Sequence, residues 1–534
     1  MASKDKSTAA SLPDVDVLIV GHGPVGAAVA CLLGRYGVRV LAIDKAGGIH
    51  LAPRAIALDN EALRILQLAG LEEGAFPTIA IPHVRMHCPY VGEFARVNTS
   101  GSLNGHPKLV TFYQPELERA LRGKVAEYEH VQFLAGTELT SFCETAEGVT
   151  ATLTRSDGSV ANVLARYLVG ADGAGSVVRR DIEQDFGGQT YAQDWLIVDA
   201  LDVPHPIDHV EFLCDHRRPT PHMVAPGGRE RWEFMLRSGE TREQIETQES
   251  IRALLAPWSQ GREMRIERQA VYRFHARSCE RFSKGRVFLA GDAAHITPPF
   301  AGQGLVAGLR DAANLSWKLA WVVRGQAASA ILDSYDQERR PHAKKMIGLA
   351  KFMGRLVMPR NALMAIAMHG ISRLLRYLPG LSGYLEELEI KPQNRFTKGL
   401  FVPGKGKRLA HGDLLPQGVV RMANGTHLLS DDALGQGLTL IGFGLDPTAH
   451  LDEATRSKWA ARGGNIVHFC LRGEALHRGE RSYEDLSNVL IPNAAPFGWA
   501  AVVRPDRTVM HDGPVTEAQR LVNETFSLLN AASS

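Results

Sequence analysis

The chain has 534 residues, 45% of them apolar and 22% charged, which is the composition of an ordinary globular protein with room for two to four domains. The formal net charge of +2 argues against nucleic acid or an acidic membrane as the main partner. No run of about 18 uncharged apolar residues occurs, and no signal-length apolar run precedes the first predicted strand, so we expect no membrane association. The six cysteines lack a Cys-x-x-Cys pair or metal-ligand spacing, which favours free thiols in a reducing cytoplasm and no metal site.

The first predicted unit is a strand, a glycine-rich turn and a helix. Residues 15–20 form a continuous apolar run, typical of a strand covered on both faces. The following "GHGPVG" fits the pattern Gly-x-Gly-x-x-Gly, in which the glycines permit a tight turn, a close approach to a pyrophosphate and close helix packing. Residues 27–35 then predict a helix whose N-terminal amides favour an anion. The candidate binding residues of this loop are Gly21, Gly23, Pro24, Val25 and Gly26.

A second strand, "VRVLAID", ends at Asp44, where the pattern places an acceptor for a ribose hydroxyl. A carboxylate there favours the free 2′-hydroxyl of FAD or NAD over the 2′-phosphate of NADP. Lys45, the next residue, joins Asp44 as a binding candidate. The alternative is an ordinary glycine turn with a surface aspartate, but strand, turn, helix, strand and acid all fall in register.

Two further motifs follow strand-like runs. "YLVGADGAGSVVRRDI" places Asp172-Gly173 after a strand and Arg179 on the next helix; "FLAGDAAHITPPFAGQG" places Gly291-Asp292 after another. The alternatives are an Asp-Gly turn with helix surface charges for the first and a capping aspartate for the second. There is only one complete Gly-x-Gly-x-x-Gly motif and no redox cysteine pair, which argues against a disulfide reductase type of flavoenzyme.

In this order and spacing, the three blocks resemble the class A flavoprotein monooxygenases, the single-component aromatic hydroxylases. Residues 21–26, 170–179 and 286–295 match the dinucleotide, Asp-Gly and Gly-Asp motifs of that family. "TFYQPELERAL", with Gln114, resembles the helix start that the family places beside the flavin. The stretches "PRAIALDNEALRIL" and "PPFAGQGLVAGLRDAANLSWKLA" most resemble the 3-(3-hydroxyphenyl)propionate hydroxylase branch.

This resemblance implies a set of contacts to FAD. Asp292 would accept hydrogen bonds from the ribityl hydroxyls, and the helix beginning near Leu305 would direct its positive end at N1 and O2 of the flavin. Pro298-Pro299 would stiffen a loop beside the isoalloxazine. Arg54 would contact the flavin or a substrate anion, or form a surface ion pair. The remaining cofactor candidates are Gln114, Asp172, Gly173, Arg179, Gly291, Pro299, Gly302 and Gly304.

Between residues 185 and 282 the pattern alternates in the manner of antiparallel strands, with a hairpin turn at residues 226–228. We expect this sheet to cover the flavin with one face, either that of Trp232 and Phe234 or that of Glu233 and Met235. The pattern identifies no general base. The pocket candidates are His222, Tyr191, Trp195, Met235, Tyr272 and Pro298.

The predicted fold class is α/β. A Rossmann-like FAD-binding domain comprises residues 14–184 and 283–345, with small substrate-side insertions near 75–110, and residues 185–282 form an inserted, mainly antiparallel β-sheet substrate domain. A helical region at 346–397 serves core or dimer packing. Residues 398–534 resemble a thioredoxin-like C-terminal domain without Cys-x-x-Cys, for which a structural or oligomerisation role is expected.

The resemblance implies a monooxygenase that hydroxylates a phenolic aromatic substrate through a C4a-hydroperoxyflavin. Independently of it, we expect a cytoplasmic protein and a homodimer. FAD would be the cofactor and NADH or NADPH and O2 the co-substrates. A substrate similar to 3-(3-hydroxyphenyl)propionate is the first expectation. The alternatives are an FAD-dependent epoxidase, a decarboxylating hydroxylase or a polyketide-tailoring oxygenase of the same fold, or a flavin-binding module without catalysis.

Overall fold

In the computed structural model, the first sheet is organised around five parallel strands, which carry the predicted nucleotide-binding motifs at their carboxyl ends. In spatial order they are Val131–Ala135, Val40–Asp44, Val15–Val20, Val160–Gly170 and Val287–Leu289. The strands Val149–Arg155 and Thr137–Glu144 extend the sheet in antiparallel fashion, and Ala10–Ser11 and Ser283–Lys284 pair at its margins. The residues described are 10–51, 54–376, 391–403, 408–474 and 481–530.

Helices cover this sheet closely because glycine occupies the points of nearest approach. A Cβ at Gly26, in helix Pro24–Arg35, would lie 1.9 Å from the carbonyl oxygen of Gly21. A Cβ at Gly308, in helix Gly304–Val323, would lie 2.5 Å from Val25. Side chains at either position would push a helix away from the loops that it supports. The other helices of this half are Asn60–Leu68, Gln114–Val125, Val177–Asp181, Asp333–Val357 and Ala362–Leu375.

An eight-stranded sheet, which we call the roof sheet, stands over the carboxyl edge of the first sheet. Its two longest strands, Phe186–Leu201 and Arg265–Cys279, pair along almost their whole length. The expected hairpin turn is confirmed between Thr220–Ala225 and Arg229–Met235, with Gly227 and Gly228 at φ +79° and +75°. The remaining strands are His295–Ile296, Val210–Leu213, His83–Cys88 and Gly92–Asn98.

Smaller elements flank the roof sheet. Ala57–Asp59, Leu109–Phe112 and Thr78–Ala80 form a three-stranded sheet, and Ser102–Leu103 pairs with His106–Pro107. Two helices, Arg242–Ile245 and Gln248–Ser259, pack on the roof sheet, on the face that carries Trp232 and Phe234. Of the helical region predicted at 346–397, residues 377–390 lie outside the described residues.

The C-terminal part has its own seven-stranded sheet and apolar core. Its centre is a parallel βαβ unit, followed by an antiparallel hairpin and a last helix, in the predicted order. The elements are Val419–Arg421, His427–Leu429, Ser430–Leu434, Leu438–Phe443, Glu453–Ala461, Gly464–Cys470, Ser482–Asp485, Trp499–Val503, Val509–Pro514 and Ala518–Asn530.

A buried charge cluster joins this C-terminal part to the first sheet's helices. Arg504 donates to both oxygens of Glu338, at 2.7 and 2.9 Å, and Lys318 donates to the same carboxylate at 2.8 Å. All three side chains are fully buried, and burial lowers the pKa of Lys318 to about 8.

Within the described residues, no helix combines the length and apolarity needed to cross a membrane.

Candidate active site

Three loops meet at the carboxyl edge of the first sheet: the dinucleotide loop (21–26), the Asp-Gly loop (171–176) and the Gly-Asp loop (290–304). They follow three neighbouring strands, and parallel strands bring their carboxyl ends to one edge. A Cβ at Gly21 would lie 2.5 Å from the Ala171 carbonyl oxygen, and one at Gly291 would lie 3.1 Å from Val25. The structure therefore brings together the three motifs that the sequence separates by more than 100 residues each.

The dinucleotide loop leaves an open face at the helix terminus. Gly23 caps the helix at φ −71°, and a Cβ built on it would meet no heavy atom within 4 Å. Beside it, Asp44 accepts hydrogen bonds from the amides of His22 and Ala46, both at 2.8 Å, which fix the carboxylate at the strand end. Lys45 is exposed beyond it. The open space and the fixed acid suit a pyrophosphate and an adjoining ribose.

In the Asp-Gly loop, one oxygen of Asp172 has its partners and the other lacks one. Oδ2 accepts from the amides of Val177 and Val178, at 2.7 and 3.2 Å. Oδ1 is buried without a hydrogen-bond partner among the described residues, and burial raises the pKa of this carboxyl. Gly173 turns the chain at φ +77°. An orphaned buried acceptor in this loop fits a hydroxyl-bearing ligand that could donate to it.

Arg179 ties the second loop to the third. Its guanidinium donates to the carbonyl of Ala174 at 2.7 Å and to that of Ala293 at 3.0 Å, and it stacks 3.9 Å from the ring centre of Phe186. Arg179 as a whole residue is only 6% exposed. Its contacts are those of a residue that positions the loops, and a direct role at the cofactor stays a prediction.

The Gly-Asp loop is anchored by Asp311, which the sequence did not indicate. Oδ2 of Asp311 accepts from the amide of Gly291 at 3.0 Å and pairs with His295 Nε2 at 2.6 Å. Oδ1 accepts from Arg339 Nε at 2.9 Å. Although burial opposes it, His295 and Arg339 lower the pKa of Asp311, so this buried carboxylate is charged. His295 is thus a hydrogen-bonded core histidine.

Beyond the anchor, the loop turns toward the open edge. Asp292 retains 36% exposure of its side chain and lies 3.7 Å from the Arg54 guanidinium. Pro298 is buried, and Pro299–Ala301 forms a single 3₁₀ turn that ends on Gly302 at φ +62°. The helix expected near Leu305 begins at Gly304. Its N-terminal amides therefore lie next to the Gly-Asp loop.

Gln114 and Arg54 complete this edge. Gln114 Oε1 accepts from the amides of Arg54 and Ala55, at 3.2 and 3.1 Å, and so holds the segment that carries the arginine. The Arg54 guanidinium lies 5.5 Å over the ring of Tyr272, which belongs to the roof sheet. A cation between Asp292 and an aromatic ring is placed to touch either the cofactor or an anionic substrate.

Four of the pocket candidates lie in one aromatic cluster on the inner face of the roof sheet. Tyr191, Trp195, Met235 and Tyr272 all pack in the cluster that contains Phe300 of the Gly-Asp loop. The ring centres of Tyr191 and Trp195 lie 5.8 and 5.7 Å from that of Phe300. The inner face is thus the one that carries Glu233 and Met235.

The expectation that His222 shares this pocket is wrong. It pairs with Trp232, whose side chain points to the outer face, and stacks on that ring at 4.6 Å. Its two nitrogens meet Glu211 and Glu230, at 3.1 and 2.5 Å. Alternation along a strand shows which residues share a face of the sheet. Only the folded structure shows which of the two faces is the inner one.

Arg122 is a second residue that supports a loop of the site and that the sequence does not indicate. Its guanidinium donates to the carbonyl of His22 in the dinucleotide loop at 3.1 Å and lies 5.2 Å over Phe133. It is 100 residues away in the chain, on helix Gln114–Val125, with no motif around it. No local signal in the sequence could have indicated it.

Comparison with known proteins agrees with this geometry. A family model described as an FAD binding domain matches residues 14–350, and one described as the HcaD C-terminal domain matches residues 412–528. The chain is 38% identical over 507 residues to the 3-(3-hydroxy-phenyl)propionate/3-hydroxycinnamic acid hydroxylase of Burkholderia cenocepacia, with 92% of this chain and 93% of that one covered. The protein of the same name from Shigella sonnei is 34% identical over 505 residues, with 93% and 91% covered.

A solved structure of the flavin-dependent monooxygenase PieE, in complex with FAD and substrate, superposes with a TM-score of 0.80. It is 22% identical and the match covers 97% of this chain and 100% of that one, which establishes the common fold.

The fold and the site together define an FAD-dependent monooxygenase of aromatic rings, with NAD(P)H and O2 as co-substrates. The chain belongs to the family described by the FAD binding domain model, alongside the hydroxylases named above. Its own residues fit the cofactor, because the open face at Gly23 and the orphaned Asp172 Oδ1 lie on the same edge.

Proposed function

We propose that the substrate is a phenol bearing a carboxylate side chain, similar to 3-(3-hydroxyphenyl)propionate, and that it lies between the Gly-Asp loop and the roof sheet. The observation that carries this proposal is the meeting of Phe300 with Trp195 and Tyr272 in one cluster. The relatives named for this substrate class support it, since they match more than nine-tenths of the chain.

Bound FAD would supply the transfer of one oxygen atom from O2 to the ring, after reduction by NADH or NADPH. The dinucleotide loop, Asp44 and Asp172 would hold its adenosine and phosphate part, and Asp292 its ribityl chain. The aromatic cluster would orient the substrate ring and exclude water. Excluding water would favour oxygen transfer to the substrate over the release of hydrogen peroxide, which consumes NAD(P)H without forming product.

Arg54 would receive the substrate carboxylate. Its side chain is 65% exposed and lies over the ring of Tyr272. We expect Arg54→Met to raise KM at least tenfold for 3-(3-hydroxyphenyl)propionate and to leave KM for 3-ethylphenol, which lacks the carboxylate, within about twofold. An equal rise for both phenols would show that Arg54 serves the cofactor instead.

The test of the whole proposal is coupled turnover by the purified yellow protein. 3-(3-Hydroxyphenyl)propionate should accelerate NADH or NADPH oxidation and yield a product heavier by one oxygen atom, with 18O from 18O2. The matched control is 3-phenylpropionate, which has no hydroxyl group and should accelerate nothing or yield only peroxide. Equal peroxide formation with both acids, and no oxygenated product, would refute the proposal.

We further propose that the protein is a cytoplasmic homodimer. We also propose the domain limits that the sequence predicts, with one addition: the two strands between residues 83 and 98 belong to the roof sheet. An epoxidase, a decarboxylating hydroxylase or a polyketide-tailoring oxygenase would form other products from the same assay. Mass spectrometry of the product separates them, and sedimentation measures the oligomeric state.

A further inference from the structure

Glu233 is an acidic side chain in the centre of the inner face of the roof sheet. It lies on strand Arg229–Met235 between Arg231 and Met235, and alternate residues of a strand share a face. Arg231 donates to the carbonyl of Arg54 at 3.1 Å, and Met235 packs in the aromatic cluster that contains Phe300. The residues on both sides of Glu233 therefore reach the flavin-binding half, which directs its carboxyl toward the proposed substrate space.

Glu233 is a mostly buried residue whose carboxyl lacks a hydrogen-bond partner among the described residues. Glu233 is 6% exposed, its neighbour across the strand pair is the apolar Ile197, and it accepts no hydrogen bond from any of the described residues. A carboxyl that is largely removed from solvent and lacks a hydrogen bond within the protein calls for a reason.

The nearby cations are committed elsewhere. Arg231 donates to both oxygens of Asp199, at 2.6 and 2.9 Å, and Arg268 donates to Asp199 at 3.2 Å and to the hydroxyl of Tyr272 at 2.7 Å. Burial opposes it, but the two arginines lower the pKa of Asp199, which is a charged structural group. Of the two neighbouring carboxyls Asp199 and Glu233, Glu233 is the one without a hydrogen-bonded cation among the described residues.

The electrostatics around Glu233 favour proton exchange at neutral pH. Burial raises its pKa to about 7; Arg231 on its own strand and Arg268 oppose the rise, and Asp199 adds to it. A general base works best when its pKa lies near the working pH, because it is then both largely deprotonated and basic enough. An ordinary exposed glutamate, with a pKa of about 4.3, would be a weaker base.

We propose that Glu233 is the general base that removes the proton from the phenolic hydroxyl of the substrate. The inference rests on the proposed function, because it needs a phenol beneath the roof sheet. The substrate O–H bond breaks, a new O–H bond forms on the Glu233 carboxylate, and the electron pair stays on the phenolate oxygen. The phenolate raises the electron density of the ring carbon that receives oxygen, and Glu233 returns the proton to solvent when the product leaves.

The test compares wild type with Glu233→Gln, which keeps the shape and removes the basicity. The matched control is Glu263→Gln, a carboxyl of the same sheet domain that is 78% exposed. Three quantities are measured across the pH range: FAD reduction by NAD(P)H without oxygen, the hydroxylation rate in a single turnover, and the product formed per NAD(P)H. The substrates are 3-(3-hydroxyphenyl)propionate and a ring-fluorinated analogue, whose phenol is more acidic.

We expect Glu233→Gln to bind FAD and to be reduced within about twofold of wild type, and to lose about 10²-fold or more in hydroxylation rate at neutral pH. The loss should shrink as the pH rises and the phenol ionises unaided, and it should be smaller for the fluorinated phenol. A packing defect would not follow the acidity of the substrate, so this dependence distinguishes a base from a structural residue.

Three results would overturn the inference, and they can be told apart. If wild type hydroxylates the phenol and Glu233→Gln matches its rate and pH profile, Glu233 is not the base and the proposed function stands. If wild type hydroxylates no phenol at any pH, the proposed function fails and this inference fails with it. A variant that loses the same factor for both phenols at every pH also contradicts the role of base.

Discussion

Replacing Asp311 with asparagine tests how the Gly-Asp loop is held. Asp311 accepts from the Gly291 amide, His295 and Arg339, at 3.0, 2.6 and 2.9 Å, all in the protein interior. Asparagine has the same shape but one acceptor oxygen and no charge, so it cannot satisfy all three donors. Arg339, which is fully buried, would be left without its counter-charge.

The cost follows from these contacts. Removing one member of a buried ion pair costs about 3–5 kcal/mol, because the remaining charge stays desolvated. We therefore expect Asp311→Asn to lower the free energy of unfolding by about that amount. The loop that carries Asp292 also loses the bond to its Gly291 amide, so the Kd for FAD should rise by about tenfold or more, equivalent to 1.4 kcal/mol.

Urea unfolding of the FAD-free protein, followed by tryptophan fluorescence, measures the first effect, since Trp317 and Trp321 lie on the helix that carries Asp311. Quenching of flavin fluorescence measures the second. The control is Glu183→Gln, which breaks an exposed ion pair to Lys284 and should cost less than about 1 kcal/mol. If Asp311→Asn matches wild type in both urea midpoint and Kd, the anchoring role is refuted.

Three further outcomes are expected. Gly26→Ala should prevent the native dinucleotide loop, because its Cβ would lie 1.9 Å from a backbone oxygen. Gly23→Ala should keep the thermal midpoint of the FAD-free protein and weaken only FAD binding, because its Cβ would meet no heavy atom within 4 Å. Equal thermal midpoints for the two variants would contradict this expectation. Although burial opposes it, Glu211 and Glu230 raise the pKa of His222, so the stability gained from its charge is complete below about pH 6.5 and is lost as the pH rises through the raised value. The difference in thermal midpoint between wild type and His222→Asn should therefore shrink as the pH is raised above about 6.5, and a constant difference would argue against a charged His222. Cys143 is the exposed cysteine, so a thiol reagent should label about one thiol of the native protein rapidly and all six after denaturation, and rapid native labelling of several would show that the core is open.

The sequence alone determined the cofactor half of the molecule. Glycines 21, 23 and 26, the acid at Asp44 and the runs ending at Asp172 and Asp292 carry their information locally, because a strand, a turn and a helix terminus are set by neighbouring residues. The same holds for the roof-sheet hairpin, where the alternation of the sequence places Trp232 and Phe234 on one face and Glu233 and Met235 on the other. The order of elements in the C-terminal part was also readable from its apolar runs and turns.

The tertiary structure decided which of these residues face one another. Alternation gave two faces for the roof sheet, but only its register against the Gly-Asp loop showed that His222 is outside and Glu233 inside. Asp311 acts on Gly291 from 20 residues away, and Arg122 on His22 from 100. Such contacts depend on how helices and sheets pack, and a chain pattern with a period of two or 3.6 residues contains no information about its distant partner.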